Sequence, residues 1–422
     1  MQNAQGKRLR LAFEIRIYYP QPKLAVAICT YCSLLCEFHP SEPLACSLRS
    51  KILSRDSSED VVPVPRIDGH ETTFDEAISF ANQLLADRNR SHISGAIRSV
   101  EAARAVLALA SRVGAYVDPT GSDDAFKTIL AIQRQGMMTA SMSEVRFRSD
   151  CIVLIGDDRL LQSFPRLIEI LLQRPKSSPQ IARRRIIALG PWTSEVVARL
   201  RNAGLDVSTI DIQVLSIPQS LFQWSRCNEE SMTKSSNLVS RWLCEARYLS
   251  LVWSATIIDQ PQADLWVERL FQWIVQRNNS HRCVGLPLSG GYVTFQQVCT
   301  WITGFPGRVL VDGDAFTYDP YRNLLSDQAI VRLHIDETTI ADESAAGRQQ
   351  STIVIAPKLH ERNPMPRVFI PCSVAGIDQP ATFFRADAAV AIEAMDCQLN
   401  SSTKRFMSVP AILERLGVAK GC

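Results

Sequence analysis

Apolar residues recur at i, i+3, i+4 spacing after Thr73: Phe74, Ala77, Ile78, Ala81 and the pair Leu84-Leu85. This is the period of one helix face. Glu76 stands three residues after Thr73, as in a capping box, so the pattern predicts an amphipathic helix that begins here. His92 to Ala96 then reads as a short strand. A helix follows from about Ser99, with Ala102, Ala103, Val106, Leu107 and Ala110 on its inner face and Gly114 as its stop, and Ala115 to Asp118 resumes as a strand. Cys151 to Ile155 is an unbroken apolar run closed by Gly156, the signature of a strand buried on both faces of a parallel sheet, and Phe164 to Leu172 reads as its helix.

The alternation continues with a strand over Ile186 to Leu189, a helix over Ser194 to Asn202 stopped by Gly204, and a strand over Asp206 to Ile210. Helical patterns run through Leu238 to Trp253 and Asp264 to Gln276, the latter with Trp266, Leu270 and Trp273 on one side, a spacing that belongs to a core. From residue 305 the chain changes to short extended pieces: Arg308 to Val311, Ala329 to Leu333 and Thr352 to Ile355. Polar residues Ser54 to Asp60 with Pro63 and Pro65 mark a connector, and Gln173 to Gln180 marks another. The expected organisation is therefore an N-terminal arm and four-cysteine region (1–65), a first α/β domain (66–180), a second (181–300), and a mixed segment (301–422) that returns to the first domains. There is no internal repeat.

The chain has 422 residues, and 46 Lys and Arg against 43 Asp and Glu leave a net charge of +3. So balanced a surface gives no field that gathers nucleic acid or an anionic membrane. The run Arg183-Arg184-Arg185 ahead of an apolar strand reads as a solvated strand entry. Tyr248 to Ile258 is too short to span a bilayer, and Glu14 and Arg16 interrupt the Leu11-Ala12-Phe13 that would open a leader's apolar region, so a cytoplasmic location is expected. In a reducing compartment the twelve cysteines read as thiols or metal ligands.

No Gly-x-Gly-x-x-Gly follows a strand, and no Walker loop, His-Glu-x-x-His or Gly-x-Ser-x-Gly occurs. The six histidines show no pair at ligand spacing. Asp123-Asp124 reads as a strand-to-helix turn in which Ser122 or Asp123 caps the following helix, and Asp157-Asp158 is read the same way. Chemistry concentrates instead in Cys29, Cys32 and Cys36, with Cys46 across a loop containing Pro40 and Pro43. Four thiolates so spaced suit a [4Fe-4S] cluster or, alternatively, a zinc ion; unmetallated packing is the third reading.

The segment Cys29-x2-Cys32-x3-Cys36, with Leu34-Leu35-Cys36-Glu37, resembles the N-terminal cluster motif of the beta subunit of formylmethanofuran dehydrogenase, of the molybdopterin oxidoreductase superfamily. Further matches follow in family order. They are Ser99 to Arg104 with Gly114 to Asp118 and Met142 to Asp150; Thr300 to Pro306; and Val368 to Pro371 with Phe384 to Asp387. The resemblance implies a multidomain α/β architecture of parallel sheets flanked by helices, without the superfamily's C-terminal β-barrel domain. It also implies a tungsten or molybdenum bis-pterin held by a Cys or selenocysteine that precedes His-Gly-Pro. Here Asp124 takes the place of that ligand, Ala125 that of the His, and Phe126 and Lys127 those of Gly-Pro.

This departure resembles the version of the chain found in bacterial formyltransferase/hydrolase complexes. The implied chain carries no redox centre, no tungsten or molybdenum pterin and no catalytic residue of its own. It serves as a partner of the other subunits, including an amidohydrolase-like hydrolytic one, while the complex moves a formyl group from tetrahydromethanopterin to a methanofuran-type carrier and releases formate. The alternative is an active dehydrogenase chain with Asp124 as metal ligand and the four cysteines passing electrons. A third reading is an independent iron–sulfur or zinc protein on a degenerate scaffold.

Overall fold

A computed structural model describes residues 27–38, 46–48, 50, 63–86, 91–173, 184–225, 234–254, 262–321, 331–337, 352–359, 365–394 and 406–417. The connector 54–60, the loop carrying Pro40 and Pro43, the linker after Gln173 and the arm before residue 27 lie outside them.

The fold is multidomain α/β, built on two large sheets flanked by helices, with no closed barrel among the described residues. The first sheet has nine strands. In spatial order they are Ala315–Tyr318, Val309–Asp312, Ala115–Pro119, Ser91–Ala96, Val331–Asp336, Ile353–Ala356, Val368–Pro371, Arg66–Ile67 and His70–Glu71. The five central strands are parallel and each edge is closed by an antiparallel hairpin. The second sheet is wholly parallel: Arg282–Leu288, Tyr248–Ser254, Cys151–Ile155, Arg185–Leu189 and Asp206–Ile210. Its strand order reverses between Cys151–Ile155 and Tyr248–Ser254, the switch of a doubly wound sheet.

Cys151–Ile155 already pairs with Arg185–Leu189, so the chain leaves the first sheet after Pro119 and re-enters it at Val309.

Local signals explain the helices. The helix Phe74–Ala86 opens on a reciprocal box, Thr73 N–H donating to Glu76 Oε2 at 3.0 Å and Glu76 N–H to Thr73 Oγ1 at 3.3 Å. Val100–Val113 is capped by the Ser99 hydroxyl and ends at the left-handed Gly114. Trp266, Leu270 and Trp273 are core residues of Ala263–Arg277. Among the described residues no helix is long and apolar enough to cross a membrane.

Three expectations are corrected. The helix expected to run to Trp253 stops at Glu245, and Tyr248–Ser254 is a strand, because a run apolar on every side has no period to separate buried helix from buried strand. Phe164 to Leu172 is not one helix; an α-helix covers Arg159–Ser163 and a π-helical turn covers Ile168–Leu172. The strand entry at Arg184 is not solvated: only 4% exposed, its guanidinium donates to the carbonyls of Ser149 at 3.0 Å, Leu171 at 3.2 Å, Leu172 at 3.0 Å and Gln173 at 3.4 Å, and to that of Arg146. These carbonyls end the helix Met142–Arg148 and the π-helical turn, where the helix dipole favours a cation.

Candidate functional site

The C-terminal ends of the parallel strands are where such sheets bind ligands, and here a cysteine hairpin lies against both sets of ends. Ala27–Ile28 pairs with Glu37–Phe38 antiparallel, and Cys29 N–H donates to the Cys36 carbonyl at 2.8 Å, so the register sets Cys29 opposite Cys36. Leu35 turns the chain with φ of 50°. Towards the second sheet, Ser33 Oγ donates to the Ser289 carbonyl at 2.6 Å, just past the strand Arg282–Leu288. Towards the first sheet, Arg98 Nη1 donates to the Tyr31 carbonyl at 3.3 Å.

Cys29, Cys32 and Cys36 share one apolar cluster, and Cys46 lies near enough for its charge to act on Cys32 and Cys36. Cys29, Cys32, Cys36 and Cys46 are all buried free thiols, and Cys29, Cys32 and Cys36 pack with Met142, Leu160, Phe164 and Leu288 in one apolar cluster. Cys46 opens a helical turn whose first carbonyl accepts from Ser50 N–H at 3.0 Å. The Cys32 and Cys36 thiols are raised to about 12, chiefly by burial and then by the charges that neighbouring cysteines would carry. The Leu34 N–H and Arg98 pull Cys32 down, and Arg166 pulls Cys36 down. Left alone these are neutral thiols; a cation among them is what turns them into thiolates. Among the described residues, no group of three or more His, Cys, Asp or Glu side chains is disposed as it stands to hold a metal ion.

Protonation at this level makes the thiols slow nucleophiles. In the metal-free folded chain at pH 8, Cys32 and Cys36 should react with iodoacetamide on the order of 10²-fold or more slowly than in urea, because thiolate is the reacting species. Site-resolved mass spectrometry measures this; equal rates in both states would contradict the burial.

Above the first sheet, the strand Ala115–Pro119 turns through Thr120 and Gly121 into the helix Ser122–Gln135. Neither Ser122 nor Asp123 caps this helix, contrary to expectation: Gly121 is the N-cap and no side chain bonds there. The Ser122 hydroxyl donates to Asp118 instead, and Asp123 pairs with Arg308. Arg308 also lies 3.6 Å from Asp118 and donates to the Pro320 carbonyl at 2.9 Å. Burial pushes the Asp118 carboxyl up, opposed by Ser122 and Arg308. Asp124, half-buried in the first helical turn, faces Tyr292, whose hydroxyl is raised by burial and then by the Asp124 charge. Phe126 lies under the Arg308 guanidinium at 5.4 Å and meets Tyr321 edge-on at 5.4 Å. Asp118, Asp123 and Arg308 thus form an ion-paired group at the start of this helix, with Phe126 and Tyr321 stacked beside it.

Sequence reading missed three residues of this region. Glu337 is 2% exposed and accepts from Arg98 N–H at 2.7 Å, Ser99 N–H at 2.9 Å and Ser99 Oγ at 2.7 Å, holding the start of the helix Val100–Val113 to the end of the strand Val331–Asp336. Burial pushes its carboxyl up and these donors oppose the shift. Arg98 had one local signal, a charge between a strand end and a helix cap. Glu337 and Arg308 had none, since their partners lie 238 and 185 residues away. Asp157 and Asp158 play no part in this region: Asp157 pairs with Arg159, and Asp158 accepts from Thr193 N–H at 3.1 Å and Thr193 Oγ1 at 2.7 Å.

No protein-family model and no curated protein matches the sequence. The fold is similar to that of a chain in the X-ray crystal structure of the formyltransferase/hydrolase complex from Methylorubrum extorquens in complex with methylofuran, with a TM-score of 0.69 and 19% identity over 84% of this chain and 98% of that one. At that identity the two chains share a fold.

Proposed function

We propose that this chain is the counterpart of the dehydrogenase-like beta subunit in a formyltransferase/hydrolase complex of tetrahydromethanopterin-linked one-carbon metabolism, and that it acts as a non-redox scaffold. The complex would transfer formyl to a methanofuran-type carrier and release formate, with hydrolysis carried out by an amidohydrolase-like partner. The observation that carries this reading is the stack over 118–127, where Asp118, Asp123 and Arg308 are tied to one another and Phe126 occupies the space beside them. Trp301, 64% exposed beside Ile302 on the helix Val293–Thr303, adds the apolar surface expected of a chain that sits among others.

The four buried thiols are of the donor type that suits a [4Fe-4S] cluster or zinc, although as they stand no three of the described side chains are disposed to hold a metal ion. Cys29, Cys32, Cys36 and Cys46 would hold it, and it would supply a cross-link that fixes the hairpin between the sheets.

Elemental analysis of the anaerobically purified complex tests the reading. The expected result is iron or zinc bound by the thiols, no tungsten or molybdenum, and formyl transfer that survives Asp124→Ala. Tungsten or molybdenum near one per chain, with dye reduction abolished by Asp124→Ala, would instead establish the active dehydrogenase.

A further inference from the structure

Among the described cysteines one is not a free thiol. Cys244, in the last turn of the helix Lys234–Glu245, is disulfide-bonded, against the expectation of thiols or metal ligands for all twelve. It is also partly exposed, whereas the eight free cysteines are buried. Its partner lies outside the described residues, which leaves Cys227, Cys397 and Cys422.

The reach of the chain selects Cys227. Two anchors lie one turn apart on the helix Ala263–Arg277. Trp273 Nε1 donates to Ser225 Oγ at 2.8 Å, just past the helix Ile217–Trp224, and Arg277 Nη2 donates to the carbonyls of Leu243 at 2.7 Å and Cys244 at 3.2 Å. Positions 273 and 277 are i, i+4 neighbours, so Ser225 and Cys244 are held against one face of that helix. A direct tie runs from Ser240 Oγ to the Trp224 carbonyl at 2.6 Å, and Ser240 stands one turn before Cys244. Cys227 is two residues past Ser225, within about 7 Å of it even at full extension. A disulfide needs Cα atoms about 4.4–6.8 Å apart. The other two cysteines start from elsewhere: Cys397 follows Ala394, which packs in one cluster with Leu35, and Cys422 follows Gly417, which lies against Leu109 and Val113 of the helix Val100–Val113.

We propose that Cys244 and Cys227 form a redox-responsive disulfide that braces the helical layer of the second sheet. The bond forms by exchange with a low-molecular-weight disulfide. One thiolate attacks it and releases a small thiol, and the second cysteine displaces the other; the pair loses two protons and two electrons, and the small disulfide gains them. Partial exposure admits such a reagent, and an exposed disulfide is the labile kind. Closed, the bond fixes the end of Lys234–Glu245, from which Ala246 and Arg247 lead into the strand Tyr248–Ser254; open, that end is held by hydrogen bonds and packing alone.

The full-length chain, equilibrated in glutathione buffers from oxidised to reduced and then alkylated, tests this by site-resolved mass spectrometry. The expected result is a linked Cys227–Cys244 peptide in the oxidised buffers that gives way to two alkylated cysteines in the reduced ones. The melting temperature should fall by about 5 °C or more over the same range. Cys244→Ser and Cys227→Ser should each melt with the reduced wild type in every buffer. A link from Cys244 to any other cysteine, Cys244 alkylated throughout, or a bond that survives millimolar reduced glutathione overturns the proposal, and an unchanged melting temperature overturns the brace. All four are read on the wild-type chain, so they hold whether or not the variants fold.

Discussion

Gly95→Ala is expected to be among the most damaging single methyl additions at the described glycines, costing about 4 kcal/mol or more and leaving little soluble protein. Gly95 lies in the strand Ser91–Ala96 with φ of 113°, a conformation that L side chains rarely adopt. A Cβ there would stand 2.0 Å from the Ile335 carbonyl oxygen and 2.8 Å from Ile335 N. Both obstacles are backbone of the neighbouring strand, locked by the register that pairs Gly95 with Ile335, so no rotamer relieves the overlap. The close approach also aims the chain at the site: the Gly95 carbonyl accepts from Ile97 and Thr120, and Arg98 follows. Urea denaturation compared with Gly69→Ala isolates the contact. Gly69 also has positive φ but nothing within 4 Å of its Cβ position, so its variant should lose only about 1–2 kcal/mol. Equal losses would show that φ alone matters.

The second large effect is expected at Arg184, where Met should cost about 3–5 kcal/mol. Removing the guanidinium strands a ring of carbonyls from Arg146, Ser149, Leu171, Leu172 and Gln173 that have turned inward to meet it. Lysine should recover less than half, because an ammonium cannot span acceptors arranged for a planar fork. Arg185→Met is the control. Its partner Glu245, at 2.7 Å, is half open to water, so about 1 kcal/mol or less is expected. Denaturant midpoints measure all three, and comparable losses for Arg184→Met and Arg185→Met would refute the cage.

These residues mark what sequence could and could not reveal. Thr73 with Glu76, and Ser99 with Gly114, are read correctly because a cap and its helix lie within a few residues of each other. Cys151–Ile155 is legible because burial on both faces leaves a run of pure apolar residues. The same feature misleads at Tyr248–Ser254, where a run buried on both faces follows a helix with only Ala246 and Arg247 between them. Arg184 looks like its neighbours in a basic triplet, since its partners are carbonyls and every residue has one. The cysteines announce themselves through spacing, but Arg98, Arg308 and Glu337 do not, because their meaning comes from strands that meet only in the folded sheet.

The path of the chain between the sheets also bears on how the protein is made. The second sheet closes on a nearly continuous stretch, from Cys151 to Leu288. In the first sheet, Ser91–Ala96 must wait for Val331–Asp336, and the bond from Arg98 to Glu337 spans 239 residues. During synthesis the early strands therefore emerge with an open apolar edge that nothing yet translated can cover, while the inserted unit completes itself first. Such high contact order slows closure and exposes the nascent chain to aggregation. Yield should thus depend on chaperones acting while the first sheet is still half built.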